Sequence, residues 1–134
     1  MGPVPPDTSG TETLLIVENE PAIRNLLQVA LRRNGYTVLA AESGREALEL
    51  VRNHGGAIDL LITDVVMPDM DGPELVKHLT TIRPDTPALF MSGYMDDTLG
   101  DRGILSTNAN FIQKPFSPRA IAKKVRDILD RVER

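Results

Sequence analysis

Leu60-Leu61-Ile62-Thr63-Asp64-Val65-Val66-Met67-Pro68-Asp69-Met70-Asp71-Gly72 begins as an apolar run of the length of a fully buried strand and stops at Asp64. The turn formers Pro, Asp and Gly follow within a few residues. A lone carboxylate at the tip of a buried strand is poorly solvated and needs a balancing charge nearby. A divalent cation or a lysine supplies that balance, and the chain offers candidates for both at the ends of other apolar runs.

On the N-terminal side, Thr13-Leu14-Leu15-Ile16-Val17 is a short apolar strand that stops at Glu18-Asn19-Glu20. Pro21 suits a first helical position, and Ile23, Leu26, Leu27, Ala30 and Leu31 recur at helical spacing until Asn34-Gly35. Tyr36 to Ala40 reads as a second strand. Ser43 with Glu46 three residues on is a capping box for a helix through Ala47, Leu48, Leu50 and Val51, which stops at His54-Gly55-Gly56. Beyond the central stretch, Gly72-Pro73 opens a third helix carrying Leu75, Val76, Leu79 and Ile82, closed by Arg83-Pro84. Pro87-Ala88-Leu89-Phe90-Met91 is a fourth strand ending at Ser92-Gly93. Gly100 and Gly103 weaken any helix between Met95 and Leu105. Phe111-Ile112-Gln113 makes a short fifth strand before Lys114-Pro115, and Ser117-Pro118 starts a last amphipathic helix through Ile121, Val125, Ile128, Leu129 and Val132.

Strand and helix alternate from the outset, and unbroken apolar strands need cover on both faces. A parallel sheet flanked by helices on each side, an α/β fold, is the economical solution. Ligand sites in such sheets lie at the C-terminal ends of the strands. Those ends carry Glu18, Asn19, Glu20, Asp64, Ser92 and Lys114, which brings acids, a hydroxyl and an amine to one edge. Acids with room for water suit Mg2+, which keeps several waters and takes few carboxylates. With Lys114 and Ser92 opposite, such a cation would stabilise a phosphoryl group in flight, and Asp64 would be the nucleophile that forms an acyl phosphate. Neither His54 nor His78 is placed for base catalysis.

The 134 residues are read as one folded domain, 12–134, preceded by a flexible tail or linker remnant, 1–11, because MGPVPPDTSG is rich in Pro and Gly. No apolar run is long enough to span a membrane, and the N-terminus lacks a signal-peptide layout, so a cytoplasmic setting is expected. Zero cysteines exclude disulfides, thiol nucleophiles and Cys-based zinc sites. A net charge of −4, with 4% aromatic residues and no Trp, argues against nucleic acid as a partner.

The acidic cluster after the first strand, Asp64 with Met67-Pro68-Asp69-Met70-Asp71-Gly72, then Ser92-Gly93 and Lys114-Pro115-Phe116, occur in order at the correct strand ends. In these motifs residues 12 to 132 resemble a receiver domain of two-component signalling, the CheY-like response regulator family. The resemblance implies a flavodoxin-like, doubly wound five-stranded parallel sheet of order 2-1-3-4-5 with five helices. It also implies that Asp64 accepts phosphate from a partner phosphohistidine, on a histidine kinase or a histidine phosphotransferase domain. On the same footing, Glu18, Asn19, Asp64 and the backbone carbonyl of Val66 would hold Mg2+. Ser92 would bind a phosphate oxygen, Lys114 would pair with the phosphoryl group, and Phe111 would turn inward with Ser92 as an aromatic switch. The face formed by the fourth helix, fifth strand and fifth helix would then change its population of states. The Lys114–Pro115 bond is a candidate cis peptide by the same analogy.

Asn19 departs from the family pattern, which has a second acid there as a direct metal ligand. An amide oxygen still coordinates, but one negative charge is lost, so Mg2+ binding and phosphorylation are expected to be weakened and not abolished. That loss motivates an alternative, a phosphorylation-independent receiver-like interaction module. A second rival, an Asp-nucleophile phosphatase, is disfavoured because apolar Val66 stands where a DxD pair would need an acid. The expected domain is thus a phosphoacceptor and not a turnover enzyme, monomeric, without nucleic acid or membrane contact. Tyr94 and Val66 flank the acceptor and are expected to slow hydrolysis of its acyl phosphate. The Pro-rich lead and the absence of sequence beyond the last helix favour an origin at the C-terminal end of a hybrid sensor kinase over a free-standing protein.

Overall fold

The computed structural model describes residues 9–93 and 110–132. Five strands, β1 (Thr13–Val17), β2 (Thr37–Ala41), β3 (Leu60–Asp64), β4 (Ala88–Ser92) and β5 (Asn110–Gln113), form one parallel sheet in the order β2-β1-β3-β4-β5. Among the described residues the helices are α1 (Pro21–Arg33), α2 (Gly44–Asn53), α3 (Gly72–Ile82) and α4 (Pro118–Val132). The strand order is the flavodoxin-like one. The weak helix expected between Met95 and Leu105, with Tyr94, lies outside the described residues, as do residues 1–8 of the expected tail.

Alternation along the strands sorts the core onto two faces. Leu14, Ile16, Leu60, Ile62, Leu89 and Met91 face one way and pack with Leu27 and Leu31 of α1 and Ile121, Val125, Ile128 and Leu129 of α4. Leu15, Val17 and Leu61 face the other way, against Ala47, Leu48 and Val51 of α2 and Leu75 and Leu79 of α3. Each fully buried Leu or Ile contributes about 1.5–3 kcal/mol relative to exposure, so these two layers supply most of what holds the sheet between its helices. Every residue of β3 is buried, Thr63 and Asp64 included.

Hydropathy misplaces some strand ends by one residue. β2 and β4 sit one position later than their apolar runs and β5 starts one earlier, because the hydrogen-bond ladder sets the ends: Asn110 pairs with Leu89, and Thr37 N–H donates to Glu12 O at 3.0 Å. The helix boundaries follow their caps. Ser43 Oγ accepts from Glu46 N–H at 3.1 Å, and Asp71 Oδ1 accepts from Glu74 N–H at 2.9 Å. The expected capping box at α2 is altered, since the Glu46 carboxylate takes the amide of Glu42 at 2.7 Å instead of that of Ser43. α1 ends at Asn34, and Gly35 follows with φ +101°, a left-handed conformation that favours glycine.

Candidate functional site

Strand register assembles the site before side chains are considered. Val17 pairs with Thr63, so the residues after them, Glu18 and Asp64, come level on neighbouring strands. Ser92 pairs with Gln113, and the ladder runs one step further, with Lys114 N–H donating to Ser92 O at 2.7 Å. Glu18, Asp64 and Lys114 also continue the alternation of Ile16, Ile62 and Ile112, so all three belong to the same side of the sheet.

The side chains meet. Lys114 Nζ lies 2.8 Å from Glu18 Oε1 and 2.6 Å from Asp64 Oδ1. Glu18 is fully buried at 0% exposure and Asp64 is nearly so at 4%. Burial pushes the Asp64 carboxyl up to about 7; the neighbouring Glu18 carboxylate adds to the rise and Lys114 opposes it. Burial by itself would lower the Lys114 ammonium, but Asp64 and Glu18 together hold it above its ordinary value. Two buried acids thus share one cation. Glu18 is held further by Glu20 N–H, which donates to its Oε2 at 3.0 Å, while Arg24 donates to the Glu18 backbone carbonyl at 2.8 Å.

The other expected site residues are arranged less tightly. Asn19 and Glu20 are exposed. Ser92 is buried, but its hydroxyl donates to Gly93 O at 3.1 Å and not to the acid pair. Val66, two residues after Asp64, is 59% exposed. Phe111 is half-buried, its ring centroid 5.9 Å from that of Phe90 at 34°. The Lys114–Pro115 peptide bond is cis. His78 is exposed, 3.9 Å from Glu74, and His54 is half-buried with a ring nitrogen 3.2 Å from Ala57 O.

Three supporting residues escape a reading of the sequence. Thr63, inside the apolar run, is buried and its hydroxyl donates to Asp64 O at 3.1 Å. Arg24, on the first turn of α1, donates from its guanidinium to the Glu18 backbone carbonyl. Asp69, read as a turn former, places its carboxylate at the first turn of α2. Only the break that Thr63 makes in a hydrophobic run was visible as a signal.

Mg2+ suits this donor set. Two buried carboxylates drawn together around a single cation, with an amide and a backbone carbonyl adjacent in sequence, match an ion that takes one or two carboxylates and keeps its waters. Among the described residues no group of three His, Cys, Asp or Glu is gathered for a metal.

The response regulator receiver domain family matches residues 14–126. This chain belongs to that family. The receiver is 42% identical over 125 residues to the sensor kinase CckA of Brucella abortus, a match covering 93% of the chain and 13% of CckA. It is 32% identical to the transcriptional regulatory protein CreB of Escherichia coli, over 92% of the chain and 53% of CreB. Among solved structures, the receiver domain of the hybrid histidine kinase CckA superposes with a TM-score of 0.74 at 38% identity, covering 87% of this chain and 98% of that one. The receiver therefore spans a small part of one relative and about half of the other. No helix among its described residues is long and apolar enough to cross a membrane.

Proposed function

We propose that this receiver accepts a phosphoryl group on Asp64 from a phosphohistidine of a partner kinase or phosphotransferase domain. The observation that carries the reading is the buried Glu18–Lys114–Asp64 contact, a nucleophile, a second acid and a counter-cation gathered at the strand tips. In the transfer an Asp64 oxygen bonds to phosphorus, the phosphorus–nitrogen bond to the donor imidazole breaks, and that imidazole keeps the electron pair. Lys114 leaves the acids to pair with a phosphoryl oxygen, and Ser92 turns its hydroxyl from Gly93 O toward another. Phe111 follows Ser92 inward. Glu18, Asn19, Asp64 and the Val66 carbonyl would hold Mg2+, which when bound neutralises charge on the phosphoryl oxygens. Val66, standing exposed beside the acceptor, limits the approach of water to the acyl phosphate.

A partner surface lies close by. α1 and α4 border a groove of about 820 Å3 whose lining includes Ala22, Leu26, Val29 and Ala122 together with Arg33 and Lys123. Leu26 and Val29 are exposed, and an apolar strip that also carries Arg33 and Lys123 supports docking of an acidic, amphipathic partner helix. The likeness to CckA supports an origin in a hybrid kinase.

The test is a two-dimensional amide NMR titration with Mg2+, then with beryllium and fluoride as a phosphoryl mimic. Shifts at Asp64, Ser92, Lys114 and Phe111 are expected. Exposed Asn19 favours one other reading, a module that binds its partner without phosphorylation; silence at millimolar Mg2+ and with the mimic would overturn the phosphoacceptor reading and leave that one.

A further inference from the structure

We infer that Asp69 holds the acceptor loop, Val65 to Gly72, in place by capping a helix that is not its own. The loop follows Asp64 directly, and its base is closed by Gly72 N–H donating to Val65 O at 2.7 Å. Gly72 fits there because a side chain would meet Asp64 O and the Phe90 ring. Between those ends Val66, Pro68 and Asp69 are exposed, so the middle of the loop lacks core packing of its own except through Met67 and Met70.

α2 supplies the missing anchor. Asp69 Oδ1 accepts from Gly44 N–H at 3.2 Å and Oδ2 accepts from Arg45 N–H at 3.0 Å. With Ser43 Oγ taking Glu46 N–H, three first-turn amides of α2 are satisfied, two of them by a residue distant in sequence. The helix N-terminus favours a carboxylate at this place. Against a rise from desolvation, the amides of Arg45, Gly44, Met70 and Asp69 itself keep this carboxyl below the usual range. Gly44 completes the seat, because a side chain there would strike Met70. α2 is a firm support, since Ala47, Leu48 and Val51 are all buried in the second core. Asp71 makes the informative contrast: it caps its own helix, α3, and so does not tie the loop to a neighbour through that bond.

The consequence for function rests on the reading above. The Val66 carbonyl, three residues before Asp69, is aimed by this loop, so Asp69 acts as a positioning residue for the metal site and does not touch the metal itself.

The test compares Asp69→Ala, Asp69→Asn and Asp71→Ala with the parent 134-residue chain, by amide 15N relaxation and by titration with MgCl2 alone. In Asp69→Ala the Gly44 and Arg45 amides shift, the Val66 to Met70 amides become more mobile, and the Mg2+ dissociation constant rises about tenfold. Asp69→Asn, which keeps one acceptor oxygen, recovers part of both effects. Asp71→Ala removes the cap of α3 instead; a loop loosened and an Mg2+ constant raised as much there as in Asp69→Ala would overturn a specific role for the bond to α2, and smaller changes support it. A loop as rigid in Asp69→Ala as in the parent overturns the inference, and so does an unchanged Mg2+ constant in a parent that binds. If the parent does not respond to Mg2+, the metal reading fails while the relaxation data still decide whether Asp69 holds the loop. Should Asp69→Ala not fold, Asp69→Asn carries the same comparison.

Discussion

Lys114 Nζ stands 2.6 Å from Asp64 Oδ1 although Lys114 follows β5, Asp64 ends β3, and β4 lies between them. The lysine reaches across a strand that ends in Ser92-Gly93, two small residues. Its removal leaves Glu18 and Asp64 buried together without a cation. Lys114→Met is therefore expected to cost about 2–4 kcal/mol at pH 8, below the full penalty of a broken buried pair because Asp64 can take up a proton. At pH 5, where that proton is already bound, the cost shrinks. Urea unfolding at the two pH values checks this; equal losses at both would show that the pair is not coupled through Asp64.

The sign of the pH dependence follows from Asp64. Its carboxyl ionises near 3.8 in an ordinary setting and at about 7 in the fold, so the folded state binds the proton more tightly than the unfolded one. Stability from this group is complete below pH 3.8 and is lost as pH rises through 7. Asp64→Asn mimics the neutral acid. It should match the parent in stability near pH 4 and exceed it by on the order of 2–4 kcal/mol at pH 8 in metal-free buffer. A variant no more stable than the parent at pH 8 would show that Lys114 compensates the ionised pair completely.

Phe90 and Phe111 are direct partners in the β4–β5 ladder, and their rings are in contact at 5.9 Å. Phe111 is only half-buried, so Phe111→Ala should cost about 1–2 kcal/mol, less than truncation of a fully buried ring. If Phe111 is a switch as well as packing, the phosphoryl mimic should move Phe90 and Phe111 resonances in the parent. In Phe111→Ala it should still shift the Asp64 amide. Loss of the Asp64 shift in that variant would assign Phe111 to the acceptor site itself.

The sheet was legible because its strands are short apolar runs bounded by Pro, Gly and acids, and because Pro21, Ser43, Pro73 and Pro118 mark helix starts by fixed chemistry. Glu18, Asp64 and Lys114 were legible for a related reason: in a parallel sheet the residue after each apolar run falls on one edge. What periodicity does not carry is orientation. It could not tell that Ser92 would bond Gly93 O, that Asp69 would reach α2, or that the edge of β2 would be set by Glu12. Those depend on loop paths, where a polar side chain finds whichever amide the fold leaves within reach.

Asn19 gives the remaining prediction. It stands next to buried Glu18 at the end of β1, exposed, where a carboxylate would add a negative charge near the proposed metal site without burial cost to itself. Unit charges ~4 Å apart at an effective dielectric near 20 interact by about 4 kcal/mol, and water at an exposed position screens most of that. Asn19→Asp should therefore tighten Mg2+ about tenfold, a gain of roughly 1.4 kcal/mol, and should do so less at high salt. The same substitution should draw Lys114 further from Asp64 and lower the yield of folded protein little, since the site is open to solvent. The measurement is a Mg2+ titration of both proteins at low and high ionic strength, followed through the Asp64 amide. Equal affinities would mean that the Asn19 amide oxygen already serves as a full ligand, or that position 19 points away from the ion. Phosphotransfer rates in the same pair of proteins then separate the two, because a residue turned away from the ion changes neither.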